Sequence, residues 1–412
     1  MLSQLYKSPA RIRMLTNGPS GALLEQFASH LNQAGYAKLV ICLRIRAAEH
    51  VIHWAIRRRI SVGDLNEAAF VRFRSHLKRC RCGRRLATGY QRVLPGARMF
   101  LKYVEALNGA PRYAVSKTSS EPQLLKLFFA WMRSQRGISN RTLETYRKPL
   151  RKLIDRVGEN PRKLSAKDIR RCILRQRRGS IHLTRQCTSA LRMFLRYLIA
   201  EGKCPAELLG AIPRVANWRL SSLPRYLSVN DVERVIQSCD SSSRFGIRDR
   251  AILLLLARLG LRAGDIVRMR LQDIDWSNAC IFVHGKSRRQ ARLPLSQEVG
   301  QAIVKYVKKA RPHTATDRLF VSNLPPFQPL TCHTTVSALV DRALKRAKVT
   351  RPCRGAAHLL RHSLASSMLR EGASLQDISI LLRHRSIDTT QVYAKVDVKR
   401  LRKVVQPWPE VY

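Results

Sequence analysis

The sequence predicts a mainly α-helical protein with one small antiparallel β-sheet. Three observations carry this. Apolar residues recur at three- and four-residue intervals over most of the 412 residues, the period of a helix with one buried face. Serine followed three residues later by aspartate opens apolar-periodic stretches at Ser165 with Asp168, Ser228 with Asp231 and Ser374 with Asp377; at this spacing each side chain can satisfy a free N–H at a helix start. Two short strand-like segments, Ala279 to Val283 and Arg289 to Leu295, flank His284-Gly285-Lys286-Ser287 and predict a hairpin.

The chain is long enough for two to four domains, and its 45% hydrophobic content is that of a folded protein. Lys and Arg number 77 against 27 acidic residues, a formal net charge of +50. Spread over the whole length, that excess suits a protein that encloses a nucleic-acid backbone and binds it in a salt-dependent way. A membrane surface or ribosomal RNA would also satisfy it, so charge alone names no function. The longest apolar run, Ala251 to Ala257, is far too short to span a bilayer, and no signal-peptide pattern opens the chain. The expectation is an intracellular protein without a membrane partner. Ten cysteines lack a disulfide-like framework. Cys80 and Cys82, with His76 nearby, form the one cluster, but a C-x-C without a second pair reads as structural or chance thiols rather than a zinc site.

Taken in order, residues 1–115 read as an N-terminal helical basic domain. Two punctuated stretches, Asn108 to Pro122 and Pro213 to Pro224, look like linkers. They set off a second helical domain at 116–212, an interdomain linker at 213–224, a C-terminal domain at 225–405 and a tail at 406–412. The first two domains echo each other. Arg98-Met99-Phe100-Leu101-Lys102-Tyr103 parallels Arg192-Met193-Phe194-Leu195-Arg196-Tyr197, and Leu23-Leu24 before Gly35 parallels Leu124-Leu125 before Gly137. Asp64 to Phe73 falls where Ser165 to Leu174 does, leaving about seven extra residues near Cys80 to Gln91 in the first copy. The pattern suggests tandem four-helix modules; similar basic amphipathic helices without a repeat are the plainer alternative.

Residues able to do chemistry gather in the C-terminal domain. Arg262, in Leu259-Gly260-Leu261-Arg262-Ala263-Gly264-Asp265, can hold a phosphate with two N–H groups, and Asp265 can orient its neighbours. Lys286, in the hairpin turn, is a flexible amine. His358 and Arg361 share one side of a helix at i,i+3 spacing, with Leu359, Leu360 and Leu364 on the other. His384 and Tyr393 follow, past a helix that turns Leu375, Ile378, Leu381 and Leu382 inward, and Asp388 is placed to cap the short helix presenting the tyrosine. Any one of these alone would be an ordinary surface or packing residue. Their joint order is not.

Arg262, Lys286, His358-x-x-Arg361, His384 and Tyr393, within HLLRHSLASSMLREGASLQDISILLRHRSIDTTQVYAKV, strongly resemble the tyrosine recombinase family, which includes lambda integrase, Cre and the Xer recombinases. The resemblance covers roughly residues 120 to 405, and the complete signature is highly specific. It implies a helical core-binding domain followed by a tyrosine recombinase catalytic domain, closing on DNA as a C-shaped clamp. Residues 1–115 would be an accessory or second core-binding-like module. The implied function is site-specific integration or transposition of a mobile element in the bacterial nucleoid, by four protomers on two double-stranded DNA sites. Whether related recombinases join them is open. The implied roles are Tyr393 as nucleophile forming a 3′-phosphotyrosyl link, His358 as general base, and Arg262 and Arg361 as clamps on the phosphate. Lys286 would be the proton donor to the leaving 5′-oxygen, His384 a phosphate hydrogen-bonding residue, and Asp265 a supporting residue. His362 would have a structural role, and His284 would pack or contact DNA. No cofactor or metal is implied, and the tail around Trp408 would contact a neighbouring protomer. One departure stands out: Arg383 occupies a position where many members have glycine. A non-cutting DNA-binding protein, a metal-dependent transposase built on acidic residues such as Asp249, Asp265, Asp273 and Asp275, and a type IB topoisomerase are the rival readings.

Overall fold

The fold is given by a computed structural model that describes residues 1–18, 20–80, 82, 90–108, 121–177, 181–213, 215, 224–284, 290–352, 355–384 and 386–396. Lys286, the interior of the Pro213 to Pro224 linker with Trp218, and the tail with Trp408 lie outside the described residues. The chain divides into two compact units, residues 1–111 with 219–412, and residues 112–218.

The first 108 residues form helices α1 (Leu2–Leu5), α2 (Pro9–Thr16), α3 (Gly21–Gln33), α4 (Lys38–Arg57), α5 (Glu67–Leu77) and α6 (Tyr90–Leu107), with a 3-10 turn at Val62–Asp64. Their apolar faces meet in a core of their own, in which Phe27 packs edge-on against Phe100 at 5.3 Å between ring centres. The second unit repeats the order: α7 (Gln123–Arg136), α8 (Asn140–Val157), a 3-10 turn at Pro161–Lys163, α9 (Ala166–Arg177) and α10 (Ile181–Ala200). The same helix positions are buried in both. Leu24, Phe27 and Leu31 correspond to Leu125, Phe128 and Met132; Val51 and Ile52 to Leu153 and Ile154; Phe100, Leu101 and Val104 to Phe194, Leu195 and Leu198.

The third helix of each set fixes the alignment. Asn66 caps α5 by accepting from Ala69 N–H at 3.1 Å, as Ser165 caps α9 by accepting from Asp168 N–H at 3.2 Å. Asn66, two residues beyond the Asp64 chosen from pattern alone, is therefore the counterpart of Ser165. The extra length between α5 and α6 shrinks to five residues between the paired buried anchors Phe73 and Val93 and their counterparts Cys172 and Cys187.

The C-terminal part contains α11 (Val229–Gln237), α12 (Arg244–Arg258), α13 (Ala263–Arg268), strands β1 (Ile274–Asp275), β2 (Cys280–His284) and β3 (Gln290–Pro294), then α14 (Gln297–Lys309), α15 (His333–Arg346), α16 (Ala356–Arg370) and α17 (Leu375–Leu381). The strands form one antiparallel sheet in the order β1-β2-β3, with Ile281 opposite Leu293 and His284 opposite Gln290. The two expected strands thus pair with each other, and residues 285–289 between them lie outside the described residues. The apolar run on α12 is buried all round, so this helix is the axis of the domain core. All three serine–aspartate starts form as expected, with Asp231 N–H donating to Ser228 Oγ at 3.1 Å and Asp377 N–H to Ser374 Oγ at 3.1 Å. Among the described residues no helix is long and apolar enough to cross a membrane.

Candidate active site

The site is built where α12, α16 and α17 meet. Beyond α12 the backbone turns at Gly260 in a left-handed conformation, φ +57°. A Cβ there would sit 2.6 Å from Leu382 Cδ2 and 3.1 Å from Leu364 Cδ2, so the turn needs glycine for both its dihedral and its clearance. The turn delivers Arg262 to the start of α13. Asp265, only 4% exposed, accepts from Arg262 backbone N–H at 3.0 Å and from the guanidinium of Arg268 at 2.9 Å. Asp265 thus fixes the backbone from which Arg262 projects.

Arg361, on α16, is buried at 4% exposure, and its two terminal nitrogens donate to the carbonyls of Gly260 and Leu382. Arg262 donates to the Arg383 carbonyl at 3.2 Å and reaches the Leu382 carbonyl at 3.5 Å. Two guanidiniums therefore converge on the C-terminal end of α17, where the helix dipole is negative. Each has five N–H donors, so these bonds fix its plane while leaving donors for an oxyanion. Burial lowers the proton affinity of both, Arg262 lowers that of Arg361 further and Arg383 that of both, yet a guanidinium remains charged at neutral pH.

The end of α17 explains Arg383. His384 N–H donates to Ser379 O at 3.0 Å and Arg383 N–H to Ile380 O at 2.9 Å, while Arg383 adopts φ +54°. This double bond pattern closes a helix with a left-handed residue, a place that favours glycine. Arginine is held there by an ion pair with Asp265 at 2.6 Å. Arg383→Gly should therefore leave unfolding stability within about 1 kcal/mol of wild type, strain relief offsetting the lost pair. Arg383→Ala, which keeps the strain and loses the pair, should be less stable than the glycine variant by about 1 kcal/mol in urea unfolding. Equal stabilities would contradict this explanation.

Tyr393 lies on a 3-10 helix, Gln391–Val396, that follows another at Ile387–Thr389. Ser386 caps that first turn: its hydroxyl accepts from Asp388 N–H at 3.1 Å and donates to the Asp388 carboxylate at 2.7 Å, so Asp388, expected to cap the helix that presents the tyrosine, lies within the turn before it. The tyrosine ring is 1% exposed, packed with Ala365, Leu369, Ile378 and Leu382. Its hydroxyl is 2.7 Å from Nδ1 of His362, one turn along α16 from the exposed His358. Sequence reasoning gave His362 a structural role; its i,i+4 relation to His358 was the signal that the two histidines lie one turn apart on α16. His384 Nδ1 meets the hydroxyl of buried Thr390 at 2.7 Å. His284, expected to pack or to contact DNA, pairs with buried Asp273 at 3.1 Å. Of the six expected groups, the structure brings Arg262, Arg361, His384 and Tyr393 together, sets His358 on the adjacent exposed face of α16, and leaves Lys286 outside the described residues.

Burial pushes the Tyr393 hydroxyl up to about 12, against a smaller opposing pull from Arg361. Burial, then His358 and Arg361, lower His362 to about 4; burial, then Arg361, Arg262 and His362, lower His384 to about 4. Partial desolvation of the ring, exposed on one side, also lowers His358, with Arg361, Arg262 and His333 adding to it. The tyrosine and its histidine partner are therefore both neutral at pH 7, and the hydroxyl can donate to Nδ1 when the ring proton is on Nε2. Because the folded values of His362 and His384 lie below the ordinary 6.5, their contribution to stability is full above pH 6.5 and is lost as pH falls to 4. The expected loss, allowing for partial exposure, is on the order of 2 kcal/mol. His384→Gln should shrink the fall in unfolding free energy over that window; an unchanged profile would refute the assignment.

The acidic residues that a metal-dependent rival would need are engaged elsewhere. Asp249 pairs with Arg248 at 2.8 Å, Asp265 with Arg268 and Arg383, Asp273 with the Arg270 backbone at 2.8 Å, and Asp275 with Asn278 at 3.0 Å. Among the described residues no group of three carboxylates converges.

Residues 225–400 match the phage integrase family, and residues 125–202 match the phage integrase N-terminal SAM-like domain. A putative integrase/recombinase, y4rA of Sinorhizobium fredii, is 34% identical over 403 residues, covering 95% of each chain. The chain belongs to the phage integrase family. Tyrosine recombinase XerC of Pelotomaculum thermopropionicum is 30% identical over 297 residues, 67% of this chain and 94% of XerC. Two solved structures share the fold. XerH site-specific recombinase bound to palindromic difH substrate has a TM-score of 0.55 at 19% identity, covering 69% of this chain and 85% of that one. A lambda integrase dimer bound to a core site has a TM-score of 0.52 at 21% identity, covering 70% and 98%. The chain is accordingly a tyrosine recombinase of the integrase type, an enzyme of site-specific DNA cleavage and rejoining.

Proposed function

We propose that Tyr393 attacks a phosphodiester held by Arg262 and Arg361, so that its oxygen becomes bonded to phosphorus at the 3′ end and the 5′-oxygen departs. The observation that carries this is the convergence of both guanidiniums on the Leu382 carbonyl, beside the His362–Tyr393 pair. A phosphate oxygen is chemically the same kind of acceptor as that carbonyl, with more charge to offer. The arginines stabilise the added negative charge of the transition state, and His384 hydrogen-bonds the phosphate. His362 holds the phenol proton before DNA arrives; His358, on the exposed side of the same helix, receives it during attack. Lys286 supplies a proton to the departing 5′-oxygen. The phosphate ester is conserved in the tyrosyl link, so attack by a new 5′-hydroxyl reverses the step and no nucleotide cofactor is consumed.

Double-stranded DNA is the substrate, gripped by basic helix faces such as that of α9, where Lys167, Arg170, Arg171 and Arg175 are exposed. The matching helix order and buried positions of the first 108 residues support a second core-binding-like module there, extending the footprint along DNA. A homotetramer acting on two sites in the nucleoid completes the reading. The test is to express a tagged chain in bacteria carrying its coding region with the native flanking DNA, purify it under denaturing conditions, and sequence the attached DNA. Discrete positions linked through a 3′ end, still recovered when divalent metals are chelated, are expected. Tight site-specific binding with no attached DNA would instead make the protein a regulator.

A further inference from the structure

Four side chains of the first module meet at one point: His50 from the middle of α4, His76 from the last turn of α5, and Cys80 and Cys82 from the segment that follows. Their donor atoms all lie within 4.8 Å of one another. His50 Nε2 is 3.4 Å from His76 Nε2 and 3.2 Å from Cys80 Sγ, and Cys82 Sγ is 3.5 Å from His76 Nε2. A tetrahedral zinc ion with bonds of about 2.0 Å to nitrogen and about 2.3 Å to sulfur separates its ligands by about 3.3 Å for two nitrogens and about 3.6 Å for nitrogen and sulfur. The three edges above lie within about 0.4 Å of those of such a tetrahedron. We propose that His50, His76, Cys80 and Cys82 form a closed structural zinc site.

The surroundings fit a structural ion. His50 is 1% exposed, its ring edge-on to Phe73 at 5.3 Å and to His76 at 5.5 Å, and Trp54 packs on Phe73 at 5.4 Å, so apolar rings wall one side. Two thiolates and two neutral imidazoles make the zinc complex neutral overall, which suits this half-buried position better than a bare cation would. The second module shows that the fold alone does not require these donors. Aligned through the shared buried positions, His50 corresponds to Lys152 and His76 to Arg175, and the thiols belong to the stretch containing the five extra residues of the first module. The metal would therefore anchor that longer connection onto α4 and α5. Its ligands are split between the interior of α4, the end of α5 26 residues on and a segment that begins 30 residues on at Cys80, which is why the C-x-C pair by itself looked incidental.

Full-length protein, purified under reducing conditions and dialysed against metal-free buffer, should retain about one zinc per chain by elemental analysis. The double variant Cys80→Ser, Cys82→Ser should retain less than about a tenth of that, and His76→Cys, which preserves the number of donors, should keep it. Cobalt exchanged into wild type should show the absorption of a tetrahedral ion with thiolate charge transfer, and this signal reads the site even if a variant fails to fold. Reduced wild type with neither zinc nor a tetrahedral cobalt spectrum would overturn the proposal, leaving a hydrogen-bonded thiol–imidazole cluster. Zinc retained in full by the double serine variant would overturn it too.

Discussion

Replacing Tyr393 with phenylalanine should abolish covalent attachment to DNA while leaving the fold and DNA binding intact. The ring is buried among Ala365, Leu369, Ile378 and Leu382, and phenylalanine keeps that contact area. What is lost is the hydroxyl and its bond to His362, a neutral pair whose net contribution is about 1 kcal/mol. The chemical consequence is far larger. With the proposed nucleophile gone, strand cleavage should fall by on the order of 10^4-fold or more. The readout is denaturing electrophoresis of a nicked DNA site taken from the captured positions: wild type accumulates an adduct and Tyr393→Phe gives a mobility shift without one. Persistent cleavage by the variant would place the nucleophile elsewhere.

Arg361→Ala carries the second largest expected effect. It removes two donors aimed at the site and leaves the carbonyls of Gly260 and Leu382 without them, beside the C-terminus of α17. The rate of adduct formation at saturating DNA should drop by roughly 10^2 to 10^3-fold, the usual cost of losing a preorganised charge-stabilising group. Unfolding stability should fall by about 1 to 3 kcal/mol from the unsatisfied acceptors. Arg361→Lys, which keeps charge but not the planar fork, should recover part of the stability and little of the rate. An alanine variant within tenfold of the wild-type rate would remove Arg361 from the catalytic role.

The parts legible in the sequence are those governed by local chemistry. Ser228 and Ser374 announced helix starts because the bond to the third residue is made within the same four positions. The β2–β3 hairpin showed as two strand-like runs around one turn, and the Arg262, His358, Arg361, His384 and Tyr393 series was visible from its order alone. Contacts between distant segments were not. The Asp265–Arg383 pair joins residues 118 apart and turns an odd arginine into a strut for a left-handed helix end. The Tyr393–His362 bond depends on how a short 3-10 turn lies against α16, a matter of packing rather than spacing. The alignment of the first module on the second was off by two residues because Asp64 and Asn66 are both good capping side chains to set against Ser165, and the backbone selects Asn66. His50 sits on an otherwise ordinary apolar helix face, and nothing in α4 marks it as a partner for the downstream thiols.

The most direct test of convergence on a single phosphate is mass spectrometry of the digested DNA adduct. A nucleotide attached through its 3′-phosphate to the peptide containing Tyr393 is the expected result. Attachment to any other residue, or an adduct that forms equally well after both Arg262 and Arg361 are replaced, would contradict it.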